Sequence, residues 1–232
     1  MALLGECDSA HSARKTVRAI RDNARGASEH RRMSLAKIAF VVLAVTGLWE
    51  AARDWQLRPV HPPDGLLAPD EPRQSTLETA AAIEHGHWKL TPRARYDITA
   101  RILSREDYSF DVMSDLVPED LALGWGVMSD NRILRSFKIT QGARFYGWRP
   151  VAELPIPRQE VIVHSANTHV IPADPAVRSR LADVRVGQVV HLTGLLVDGV
   201  RGDGAFVRTS LTREDTGAGA CEIMLVESVE IL

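Results

Sequence analysis

The chain has 232 residues, 28 Lys and Arg against 30 Asp and Glu with 8 His, a formal net charge of −2, and 45% hydrophobic residues. That apolar share can build a core, which excludes a wholly disordered chain, and the balanced charge excludes a polycation acting on nucleic acid. Two cysteines, Cys7 and Cys221, are too few for a disulfide scaffold.

Residues 1–32 are polar, carry Cys7 and show no sustained apolar period. They predict a disordered, basic cytoplasmic segment. Met33 opens MSLAKIAFVVL, a compact signal anchor with a short basic start, so translation from Met33 is the alternative to Met1. Residues 38–49, IAFVVLAVTGLW, are the only uninterrupted apolar run. With their flanks they predict a transmembrane signal anchor over 33–54, close to the roughly 17–25 residues that cross a hydrocarbon core. Eight Lys and Arg precede the run and only Arg53 and Arg58 follow it closely. Cytoplasmic flanks retain basic residues, so the N-terminus is expected inside and the C-terminal domain outside a bacterial inner membrane. GLWEAARDW lacks a small-x-small cleavage site, which favours an anchor over a cleaved signal.

Pro59, Pro62, Pro63, Pro69 and Pro72 then predict an extended Pro-rich spacer over 55–74, leading into an exported β-rich domain over 75–232. Ser75 and Glu78 fit a capping box for a short helix ending near Gly86. Alternation and β-branched content predict strands at 96–103, 137–148, 159–164, 188–197, 205–211 and 221–228. Ser129 or Asp130 caps a short helix over NRILRS, and Asp174 caps another with Pro175 at its first position. RGDG, from Arg201, closes a hairpin. The fold class expected is mainly β with two or three short helices: a small OB-like or related β-barrel behind a single N-terminal transmembrane helix. VRVGQVVHLTGLLV has the Gly-led strand entry common in such barrels. Residues 53–232 carry 20 Lys and Arg against 25 Asp and Glu, a net −5. Nucleic acid is therefore not an expected partner.

The segments DLALGWGVMSD (120–130), HSANTHVIPAD (164–174) and SLTREDTGAGACE (210–222) resemble those of an uncharacterised family of bacterial single-pass membrane proteins. The resemblance covers roughly residues 59–227. It implies a membrane-anchored exported domain and brings no activity, cofactor or catalytic residue with it.

Several constellations invite chemistry. Asp215-Thr216-Gly217-Ala218 matches the DTGA of aspartic proteases, but Arg213 and Glu214 replace the apolar strand that leads into that motif, and the flap segment after it is missing. Cys221 with His164 or His169 is the pair a thiol transpeptidase would need. The same two histidines with Asp174 form a metal candidate only if the chain turns between them. Against these, the alternation of Cys221, Ile223 and Leu225 predicts a buried, inert thiol, and no metal or cofactor is expected. The two polar segments should meet on one rim, and the ligand or partner site is assigned to His164, Ser165, Asn167, His169, Ser210, Thr212, Arg213 and Asp215. Trp125, flanked by glycines, is added as a stacking platform. The function expected is a membrane-anchored cell-envelope protein whose exported domain binds a partner or ligand, with the lipid bilayer contacted through one helix. The alternative is an envelope hydrolase or transpeptidase using Cys221 with His164 or His169.

Overall fold

The computed structural model of the protein describes residues 35–217 and 219–232. The basic segment, Cys7 and the choice between Met1 and Met33 lie outside the described residues. Helix α1, Leu35–Gln56, has 22 residues and is long and apolar enough to cross a membrane. Phe40, Leu43, Leu48 and Trp49 are all exposed on it, the surface a lipid-facing helix presents.

Leu57–Leu232 form a separate unit, and over all the described residues strand outweighs helix by 40% to 22%. The elements are β1 (Arg73–Thr76), β2 (Ile83–His85), β3 (Trp88–Asp107), β4 (Glu119–Gly124), a 3₁₀ turn (Gly126–Ser129), α2 (Asn131–Leu134), β5 (Phe137–Gly142), β6 (Phe145–Pro150), α3 (Arg158–Val163), β7 (Ser165–Pro172), α4 (Pro175–Ala182), β8 (Val189–Arg201), β9 (Phe206–Val207) and β10 (Glu222–Ile231).

The main sheet runs β1-β3-β4-β7-β10-β8-β9, and β3 pairs a second time, with β8. The 20-residue β3 makes this possible. It is antiparallel to β8 from Trp88 to Arg101 and to β4 from Arg101 to Asp107. The sheet therefore curls back on itself through one handover at Arg101, without closing into a true barrel. Bulges at Pro92/Ala94 and Ile102/Ser104 bend the strand, and Pro92 sits where a bulge tolerates the missing donor.

Period-2 alternation gives each strand two faces. Inside the curl pack Tyr96, Ile98, Ile102, Leu121, Leu123, Val170, Leu192, Leu196, Met224 and Val226, joined by Val177 and Leu181 of α4. Outside it, Trp88, Leu90, Ile171, Leu195, Ile223 and Leu225 pack with Leu116 and Val117. A third cluster, with Ala122, Phe137 and Val161, lies with the separate β5-β6 hairpin.

Several sequence expectations change here. Ser75 and Thr76 begin no helix: β1 pairs with β3 at residues 94–97, and that long-range pairing outcompetes a local cap. Residues 159–163 are helical rather than extended and His164 caps the helix, since the chain leaves Pro157 into α3 and buries Val161. Strand 205–211 shortens to Phe206–Val207, and 137–148 is a hairpin. The Pro-rich segment is extended but bonded to the domain: Val60 N–H donates to the Val186 carbonyl at 2.8 Å, Leu67 and Ala68 N–H donate to Ser129 Oγ at 3.1 Å, and Asn131 Nδ2 donates to the carbonyls of Pro62 and Pro63. The caps fall where the sequence puts them. Asp130 accepts from the Arg132 N–H and Asp174 from the Val177 N–H, both at 2.8 Å.

Candidate functional site

Register builds the site. On β4, Asp120 lies opposite His169 of β7; β7 runs parallel to β10, with Thr168 beside Glu222. Side chains alternate, so Asp120, Asn167, His169 and Cys221 share the outer face. Leu121, Val170 and Met224 point into the curl. Two adjacent strands and the residue that leads into β10 thus set an acid, an imidazole and a thiol in a row.

The β5-β6 hairpin closes over this row. Its two-residue turn places Ala143 at φ 50° and Arg144 at φ 68°, the left-handed pair that a type I′ turn demands and that Asn-Gly normally supplies. Holding two side chains there costs on the order of 1–2 kcal/mol each. The Arg144 side chain offsets that cost: Nη1 bonds Asp120 at 3.0 Å, Nε and Nη2 bond Asp111 at 2.9 Å, and the guanidinium lies 3.7 Å from the Tyr108 ring centre. The backbone is used as well. Arg144 N–H donates to Tyr108 Oη at 2.9 Å, and its carbonyl accepts from Asn167 Nδ2 at 3.2 Å.

A cleft of about 290 Å³ opens beside the row, between β6, α3, the start of β7 and the 212–221 loop. Phe145, Trp148, Ile162 and Ala166 give it an apolar wall, and Arg158, Asn167, Arg213, Asp215, Cys221 and Glu222 supply polar groups. Arg158 lies over Trp148 at 5.0 Å. The loop is stiffened by Ser210 Oγ, which donates to Asp215 at 2.7 Å, and by Gly217 and Gly219 at φ 87° and 91°, a conformation that favours glycine. Arg213 reaches inward to Glu222 at 3.3 Å and Gln74 at 3.2 Å.

The two polar segments therefore meet, as expected, but not all of their residues do. Ser165, Asn167, Thr212, Arg213 and Asp215 line the cleft. Ser210 supports it from behind, 5% exposed. His169 is 7% exposed and sits beneath it. His164 faces elsewhere: its Nε2 is 3.1 Å from Glu71 and its Nδ1 contacts Glu160, with the ring against Gly126. Trp125 is fully buried and donates Nε1–H to Glu71 at 2.9 Å, so no ring face is left for a sugar. Cys221 is half-buried, not sealed in the core, because it precedes β10 and its neighbours on that face are Asn167 and His169.

His169 and Glu222 both have shifted protonation. Burial opposes charge on His169, but bonds to Asp120 (2.7 Å from Nδ1) and to Cys221 outweigh it and push the imidazole up to about 9. Burial pushes the Glu222 carboxyl up to about 7, against the pull of Arg213. Family models, curated proteins and solved structures yield no match to the chain.

Proposed function

We propose that the protein is a membrane-tethered module of the bacterial cell envelope, held by α1 with its N-terminus inside and Leu57–Leu232 exported, and that this domain binds a partner or ligand in the cleft. One observation carries the reading: two segments far apart in sequence, 145–167 and 212–222, bring an apolar wall and a set of polar groups together in a pocket of about 290 Å³. Binding sites take that form, apolar with a few placed polar groups on a rigid scaffold. The excess of basic residues before α1 supports the orientation. The strand order also supports relating the curled sheet to OB-like domains. Going round it from β3 through β4, β7, β10 and β8, with α4 following the third strand in sequence, gives the arrangement whose loops hold ligands in those domains.

The test is co-purification from detergent-solubilised membranes. Arg158 and Thr216 are exposed at the cleft, so Arg158→Glu and Thr216→Arg leave the fold intact. Each is expected to remove the partner that the wild-type chain retains. Undiminished co-purification by both variants would refute the cleft as the binding site.

A further inference from the structure

We propose that Cys221 is a nucleophile toward esters and thioesters bound in the cleft, with His169 as its proton carrier and Asp120 as the residue that positions His169. This rests on the cleft being the binding site. The sulfur lines the cavity, so a bound acyl group can reach it. Asn167 Nδ2 lies 3.6 Å from Sγ, and the β7–β10 register puts the His169 imidazole on the same face as Cys221, on the diagonal from it. With Nδ1 taken by Asp120 at 2.7 Å, Nε2 is the nitrogen left to serve the sulfur. Asp120 is fully buried and is itself fixed by Arg144 at 3.0 Å, so imidazole tautomer and orientation are set from behind. Nucleophile, base and orienting acid stand in the order that acyl transfer through a thiol requires.

A second observation points to an occupant. The wall of Phe145, Trp148 and Ile162 suits an apolar acyl chain. Disulfide exchange fits less well, because Cys221 is the single free thiol among the described residues, and an Asp-held imidazole serves proton transfer.

In the reaction, Sγ–H passes its proton to His169 in its neutral form, so that the rate rises towards pH 9, and the sulfur attacks the acyl carbon. The bond from that carbon to the leaving oxygen or sulfur breaks, and His169 returns the proton to the leaving group. Water, giving up a proton to the same imidazole, then cleaves the Cys221 thioester to a carboxylic acid and the free thiol.

The experiment uses the full chain in detergent with p-nitrophenyl acetate as probe, reading nitrophenolate release and acetylation of Cys221 by mass. The expected result is an acetyl-Cys221 species and release at least about 100-fold faster than from glutathione under the same conditions, abolished in Cys221→Ser and His169→Gln. Asp120→Asn is expected to lower the rate by a comparable factor and to displace its pH profile, which a purely structural role would not do. Release no faster than from glutathione in the wild-type chain, whatever the variants do, would overturn the proposal, as would full activity in a folded His169→Gln. If acylation is absent while Arg158→Glu still abolishes co-purification, the nucleophile fails and the binding module stands.

Discussion

Replacing Glu222 with Gln is expected to change how stability depends on pH in a window that the structure defines. The carboxyl is 1% exposed, and burial moves it from its ordinary 4.5 to about 7. The folded state then holds the proton more tightly than the unfolded chain, so this group's contribution is fully present below pH 4.5 and is lost as pH rises through about 7. At about 1.4 kcal/mol per pH unit, the swing is at most about 3 kcal/mol. His169 acts in the same direction over the next window: raised from 6.5 to about 9, it contributes stability that is present below pH 6.5 and lost towards pH 9. Unfolding by urea, followed through the buried Trp88 and Trp125, measures both. Glu222→Gln should flatten the decline between pH 4.5 and 7 relative to wild type, and His169→Gln should flatten it between 6.5 and 9. A wild-type stability that does not fall with pH relative to Glu222→Gln across the lower window would refute the burial of a neutral carboxyl at Glu222.

Other outcomes are as specific. Asp130 caps α2, binds Arg132 at 2.6 Å and accepts from the Gly65 N–H, and its carboxyl is held down to about 2, first by Arg132. Asp130→Ala should cost about 1–2 kcal/mol in neutral denaturant titrations, with the deficit closing as pH falls from 3.8 towards 2. A Cβ on Gly194 would stand 2.0 Å from the Leu225 carbonyl oxygen. Because backbone cannot yield as a side chain can, Gly194→Ala should cost about 3 kcal/mol by the same titration. A reporter fused after Leu232 should be active on the outer side of the membrane only; activity confined to the cytoplasm would reverse the proposed orientation.

What the sequence makes legible follows from which faces are apolar. β3, β8 and β10 announce themselves through alternation, and Asp174-Pro175 marks the start of α4. β4 and β7 do not, because both of their faces are buried and one of those faces is polar. Asp120, Asn167 and His169 read as loop residues until the β5-β6 hairpin is seen to cover them. Val161, Ile162 and Val163 suggest a strand by their branching, yet α3 needs only Val161 to be buried. In the site, Arg213 and Asp215 stand out as a polar, Gly-containing loop beside an apolar strand. Asp120 cannot be found that way, since its partnership with His169 exists only through the register of two strands about 50 residues apart. His164 was open to misassignment for the opposite reason: it opens the polar segment but sits one residue before β7, where the chain turns it toward Glu71.

The cleft can be tested most directly by site-specific photocrosslinking in intact membranes. A benzoylphenylalanine at Thr216, exposed on the cleft rim, is compared with one at Arg180, exposed on α4 and outside the cleft. The expected result is a discrete adduct from position 216 that disappears in the Arg158→Glu background, with none from position 180. Equal adducts from both positions, or none from 216, would contradict a binding cleft between α3, β7 and the 212–221 loop.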